Sequence, residues 1–232
     1  VGVVSPRLCL RPRPSCSVEV IVARDLVLTR VTGCRYHVAH VSAKGSMEMI
    51  ARAKAEGIPV TCEVTPHHLA LADEDARPYD SDFKMKPPLR AREDVSAMIE
   101  AIAGGVVDAI ATDHAPHTGH QKMQEFERCP FGVIGLETAV GVAFDRLVHT
   151  GRIPLMRMVE LFTTGPARVL ALDCGRLAPG LAADITILDP DLEWTYDVNR
   201  TESRSKNSPF AGARFRGGPA ATIVDGGIVW RR

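Results

Sequence analysis

Apolar positions along the chain fall into two alternating patterns, helical stripes and short unbroken runs. Ser17 caps a predicted helix that reaches about Thr32, with Val18, Val22, Leu26 and Val31 near one face and Gly33 closing it. Tyr36–Ser42 predicts a short buried strand. Ser46 to Glu56 predicts a helix ended by Gly57, and Ile58–Val64 a second strand. Ala91 to Ala103 places Val95, Met98, Ile99 and Ile102 at helical spacing before Gly104 and Gly105. Val106–Thr112 predicts a third strand, and Leu136 to Val148 another helix. Strands alternating with helices imply a parallel sheet covered on both faces. Residues 1–17, with Pro6, Pro12 and Pro14, predict a loop.

The pattern changes near residue 172. Beyond it glycines punctuate short apolar runs, and Ala183–Leu188, Ala220–Val224 and Ile228–Trp230 predict strands. Asp225-Gly226 is a hairpin signal. The expected division is therefore an α/β part over residues 1–172 and a small β-rich module over 173–232.

Composition narrows the function classes. The 28 Lys+Arg and 28 Asp+Glu balance to a formal net charge of zero, so no strong field recruits nucleic acid or an anionic membrane. No apolar run approaches the ~20 residues of a spanning helix. The six cysteines contain no C-x-x-C pair, and Cys34 and Cys62 sit in strand-like runs. That favours reduced, buried thiols in a cytoplasmic protein over a disulfide scaffold or zinc knuckle. The first residue is Val1, and nothing near it has the form of a signal peptide.

The chemistry gathers at the carboxyl ends of the predicted strands, where parallel α/β sheets bind ligands. The first ends in His37-Val-Ala-His40-Val-Ser42. The second ends in Cys62-Glu63-Val-Thr65-Pro66-His67-His68, the third in Thr112-Asp113-His114-Ala-Pro-His117. Seven of the eight histidines lie in or near these segments, His120 included; His149 ends a helix. Imidazoles and carboxylates converging on one rim point to a divalent metal, zinc above others. Each residue alone has an ordinary reading: a strand histidine as a hydrogen-bonded core residue, Pro66 as a strand stop, Asp113 as a helix cap. Strand alternation sends His37 and His40 to opposite faces. Only the D-H-A-P-H run resists such an account.

Six segments together resemble one family: Y-H-V-A-H-V-S, C-E-V-T-P-H-H-L, P-P-L-R, A-T-D-H-A-P-H, P-F-G-V-I-G-L-E-T and S-K-N-S-P-F. They are similar to dihydroorotases of the bacterial type I kind, in the amidohydrolase superfamily, from near Ser5 to the end of the chain. The resemblance implies strands six to eight of a (β/α)8 TIM-like barrel with a small β-sandwich beside it. It implies His40 and Asp113 as metal ligands, Asp113 also as catalytic base, His117 as a substrate-carboxylate contact, and Phe131 and Gly132 as a backbone segment touching the pyrimidine ring. His67, His68 and His114 become supporting residues. One or two zinc ions are implied. So is reversible hydrolysis of dihydroorotate to N-carbamoyl-aspartate in pyrimidine biosynthesis, with Asp113 passing a proton from water to the leaving nitrogen. Partnership with aspartate transcarbamoylase, or a homo-oligomer, belongs to the same resemblance.

The sequence also departs from that family. An H-x-H pair is absent, and so are the strand-four and strand-five ligands the family uses. Three strands cannot close a barrel. The chain is thus expected to be an incomplete fragment, inactive alone, with an exposed apolar face where missing strands pack. Lys86 and Gly165 stand where the family usually has Asn, and residues 9–16 lack its usual glycine loop; at Gly165 only a local turn effect is expected. Hydantoinase or allantoinase is the nearest alternative enzyme. A non-catalytic subunit supporting aspartate transcarbamoylase is the alternative from another class.

Overall fold

The computed structural model describes residues 7, 9–76 and 79–232. Pro6 and most of the first residues of the expected loop lie outside the described residues. The first helix, α1, spans Cys16–Thr32 and ends at Gly33 in a left-handed conformation (φ 69°). Ser17 is not its cap: it sits in the first turn and its hydroxyl donates to the Pro14 carbonyl at 2.7 Å. The buried stripe is Val22, Leu26 and Thr29, while Val31 is 77% exposed. Val31 is five residues beyond Leu26, about 140° round the helix from it.

Three short strands, β1 (Tyr36–Val38), β2 (Val60–Val64) and β3 (Ala109–Ile110), form a parallel sheet in that order. Each is shorter than its apolar run suggests: β1 and β3 stop before the polar carboxyl-end loops, and β2 and β3 begin two and three residues later than expected. Helices α2 (Lys44–Ala55), α3 (Pro66–Ala70) and α4 (Arg92–Ala103) intervene. Along β2 burial alternates with the pleat: Val60, Cys62 and Val64 are buried, Thr61 and Glu63 half-buried. The buried face packs against Ile50 of α2 and Met98 and Ile102 of α4, all fully buried. Each such side chain contributes about 1.5–3 kcal/mol through burial. On the other face His37 bridges Thr61 (2.8 Å) and Glu63 (3.2 Å).

A four-residue helix α5 (Gly119–Lys122) follows β3. The helix expected over 136–148 is present as α6 (Ala139–Ala143) running into a π-helical turn, Phe144–Val148. Two helices not anticipated from the pattern, α7 (Leu155–Phe162) and α8 (Thr164–Leu170), complete this part. Gly165 of α8 lies against β3's approach: a Cβ there would stand 2.2 Å from the Asp108 carbonyl oxygen. The expectation of a merely local turn effect at this position is corrected, since the constraint is helix-to-strand contact.

The carboxyl-terminal strands β4 (Ile185–Thr195), β5 (Arg214–Val224) and β6 (Gly227–Arg231) form one antiparallel sheet. Asp225 (φ 49°) and Gly226 (φ 78°) make the expected two-residue turn, with the paired positive φ values that suit strand twist. Phe210, Phe215 and Tyr196 pack with Val142 and Ala70, joining this sheet to the first part. Among the described residues no helix is long and apolar enough to cross a membrane. Apolar side chains on α1 stay exposed, Val20 at 65% and Val27 at 58%.

The cysteines divide differently from the expectation. Cys62 and Cys129 are buried, but Cys34 is exposed because β1 begins only at Tyr36; Cys9, Cys16 and Cys174 are exposed too. Burial also pushes the Cys62 thiol up to about 12. A thiol reagent counted spectrophotometrically should label Cys9, Cys16, Cys34 and Cys174 in the native chain, and Cys62 and Cys129 only after denaturation.

Candidate active site

The carboxyl ends of β1, β2 and β3 lie along one edge because the strands are parallel. His40 follows β1 and Asp113 follows β3. Both have left-handed backbone, φ 40° and 46°, unusual for residues with a side chain. Such a conformation costs about 1–2 kcal/mol per residue and collects at functional sites. The alternation argument stops short of His40, because ladder pairing ends at Val38.

A charge on His40 would oppose protonation of His67 and His68. Those two rings sit with centroids 4.5 Å apart on α3. The Pro87 carbonyl can only accept, so His68 Nε2–H donates to it (3.0 Å) and Nδ1 accepts from the Thr65 hydroxyl (2.7 Å). His68 is thereby fixed as a neutral ring. Burial lowers its pKa from 6.5 to about 4, and lowers His67 well below the usual value. Because the folded-state pKa is depressed, the neutral ring's contribution is complete above about pH 6.5 and is lost as pH falls towards 4. His68 alone should withdraw about 3 kcal/mol of stability across that window, read from urea unfolding at successive pH values.

The third segment is held by a separate network. His117 Nε2–H donates to the Phe131 carbonyl at 2.8 Å. His114 pairs with Val133, and its Nδ1 accepts from the Gly135 amide at 3.2 Å, so that lone pair is committed to structure. Gly132 (φ 127°) leaves no room for a side chain: a Cβ would stand 2.5 Å from Ala115 Cβ and 3.1 Å from His117 Nε2. Phe131 is 37% exposed. Its ring carries the Lys84 ammonium 4.5 Å from the centroid and the Arg13 guanidinium at 5.0 Å.

His117, Phe131 and Gly132 are thus in mutual contact, while His40 follows the end of another strand. Among the described residues the Asp113 carboxylate makes no hydrogen bond or ion pair, and Lys86 is exposed. His120 and His149 are exposed and stand apart in the way their positions implied.

The donors suit a divalent ion in part. His40 Nδ1 is buried without a partner among the described residues, as is His67 Nε2. An imidazole nitrogen and an unpaired carboxylate after the carboxyl ends of two strands of one parallel sheet are zinc-type donors. Among the described residues no group of three or more His, Cys, Asp or Glu side chains comes together to hold a metal. His40 and Asp113 therefore fit as part of a ligand set that needs donors from elsewhere.

Three supporting residues had no visible role in the sequence. Lys84, 7% exposed, donates to the carbonyls of Glu127 (3.0 Å) and Cys129 (2.6 Å). Lys122 donates to the Gly132 carbonyl at 3.0 Å, and burial holds its pKa below the usual lysine value. Asn207 donates to the carbonyls of Ala115 and Gly132. Of these only Asn207 lay in a motif, S-K-N-S-P-F; the lysines serve carbonyls that no local pattern reveals.

Comparison with known proteins identifies the family of the chain. Residues 16–229 match the amidohydrolase family. A dihydroorotase of Solibacter usitatus is 56% identical over 231 residues, 100% of this chain and 54% of that protein. A dihydroorotase of Pelotomaculum thermopropionicum is 49% identical, covering 98% and 53%. Among solved structures, an L-hydantoinase from Arthrobacter aurescens superposes with a TM-score of 0.89 at 32% identity, over 94% of this chain and 50% of that one. A D-hydantoinase from Thermus sp. gives 0.89 at 28% identity, with the same coverage. The chain spans about half the length of the curated relatives it matches. With all but its outermost residues matched, the chain belongs to the amidohydrolase family.

Proposed function

We propose that this chain carries part of the active site of a metal-dependent cyclic amidohydrolase acting on dihydroorotate in cytoplasmic pyrimidine biosynthesis. The observation that carries the reading is the paired left-handed backbone of His40 and Asp113 at the ends of parallel strands. The similarity to dihydroorotases supports the substrate. In this reading β1, β2 and β3 are barrel strands six, seven and eight. Residues 1–172 are the barrel part, and 173–232 contribute one side of a β-sandwich. The remaining strands and ligands come from the portion of the relatives that this chain does not span.

His40 and Asp113 would hold zinc together with those further ligands. A bound ion supplies Lewis acidity and lowers the pKa of water from 15.7 to about 7. Asp113 accepts a proton at a carboxylate oxygen from the attacking water. It returns that proton to the ring nitrogen as the amide C–N bond breaks, a transfer worth about 10²–10⁴-fold. His117 spends its Nε2–H on Phe131, which leaves Nδ1 as its free edge. A proton on Nδ1 turns that edge into a donor for the substrate carboxylate and fixes the ring's position. Phe131 and Gly132 would bring backbone close to the ring, and the lack of a side chain on Gly132 lets this segment lie against Ala115 and His117.

Joined to an amino-terminal half from a relative, the chain should hydrolyse dihydroorotate in preference to hydantoin or allantoin. Faster turnover of either neutral ring would overturn the assignment of substrate.

A further inference from the structure

We propose that Asn207 is the positioning residue that sets the substrate-facing geometry of His117 and Gly132, an inference that rests on the functional reading above. Asn207 is 4% exposed and lies on a strap, residues 201–208, running from the carboxyl-terminal part back across the site. One end of the strap is fastened by Glu137, whose carboxylate accepts from the Thr201 hydroxyl and from the Glu202 amide at 2.9 Å. At the other end a single carboxamide touches both loops. Its NH₂ donates to the Ala115 carbonyl at 3.0 Å and the Gly132 carbonyl at 3.1 Å. Its oxygen accepts from the His117 amide at 3.3 Å. Its own backbone carbonyl accepts from the Ile134 amide at 2.9 Å.

The orientation follows from the partners. Two carbonyl oxygens can only accept, so the NH₂ must face them, and the oxygen must face the His117 N–H. Both sides of the His117–Phe131 hydrogen bond are thereby gripped: His117 through its amide, Phe131 through the next residue. Among the described residues neither loop has a sheet ladder beyond the His114–Val133 bridge. Asn207 touches no reacting atom in this account; it acts through His117 and Gly132.

Asn207→Asp and Asn207→Ala separate this role from simple filling of space. Aspartate has the same shape but turns an oxygen towards two carbonyl oxygens. If Asn207 only fills space, aspartate is harmless and alanine is worse. If its donors position the loops, aspartate is worse. The readouts are the imidazole nitrogen resonances of His117 and the amide resonance of Gly132 in the isotope-labelled chain, with circular dichroism reporting the fold. The expected result is displacement of both signals in Asn207→Asp beyond that in Asn207→Ala. Wild-type positions in both variants, or the reverse order, overturn the proposal.

If Asn207→Asp does not fold, the wild-type chain still decides. Its Asn207 carboxamide protons should exchange at least about tenfold more slowly than those of a free asparagine, the effect of one hydrogen bond. Exchange at the solvent rate overturns the proposal. Dihydroorotate is then added to the isotope-labelled chain joined to an amino-terminal half from a relative. Movement of the wild-type His117 signals, with binding about tenfold weaker in Asn207→Asp, supports the positioning role in substrate recognition. No response of the wild type overturns the functional reading, while the ligand-free signals still judge Asn207.

Discussion

Asp113→Asn is expected to abolish ring hydrolysis in a protein that joins this chain to an amino-terminal half, with kcat falling by at least about 10²–10⁴-fold. Asparagine keeps the shape and tolerates the left-handed backbone at φ 46°. It lacks the negative charge a metal needs from this position and the lone-pair basicity a proton carrier needs. The two losses act on one group, so they should not add like independent effects. Folding of the metal-free protein should be almost untouched, because the carboxylate has no hydrogen bond or ion pair among the described residues. The informative pairing is therefore kcat against the urea midpoint measured after metal is removed from both proteins. A variant with lost turnover and an unchanged midpoint supports the role. Retained turnover removes Asp113 from the chemistry.

Gly165→Ala is expected to destabilise the chain by about 3 kcal/mol, against the usual sign of a glycine-to-alanine change in a helix. Helix propensity alone predicts a gain of up to about 1 kcal/mol. The packing decides otherwise. A Cβ would stand 2.2 Å from the Asp108 carbonyl oxygen and 2.9 Å from the Glu160 carbonyl oxygen. Both neighbours are backbone, and Asp108 is tied down further: its carboxylate accepts from the Cys62 amide at 2.7 Å and from the Lys54 ammonium. Relief requires α8 to move away from β3, which disturbs Ala167 and Leu161 in the core. Urea unfolding of the variant reads the loss directly; equal or greater stability would show that α8 and β3 are not in this contact. Asparagine, the residue usual here in the family the sequence resembles, should cost more.

The sequence showed the strand ends clearly because each apolar run stops abruptly at polar residues. His40, Asp113 and His117 were visible for that reason, and so was the Asp225-Gly226 turn, whose residue types match its φ values. What it hid was geometry set by distant chain. The period-2 argument does not extend to His40, because pairing ends two residues earlier. Val31 faces solvent because helix phase, not hydrophobicity, decides which positions meet the sheet. Lys84 and Lys122 serve carbonyls of the loop that carries Phe131, a role that no local pattern displays. The Thr163-Thr164-Gly165-Pro166 run obscures the helical pattern over residues 155–170, where Gly165 serves contact with β3's approach rather than a turn.

Zinc content, measured by atomic absorption alongside dihydroorotate turnover, tests the central claim most directly. The comparison is between this chain and the same chain extended through an amino-terminal half. The account predicts that the extended protein binds zinc and opens dihydroorotate, and that His40→Ala and Asp113→Asn in it each lower the bound zinc. It predicts neither property for the chain alone. An extended protein that folds, binds no metal and leaves dihydroorotate intact would contradict it, and would leave the histidines and Asp113 as parts of a scaffold.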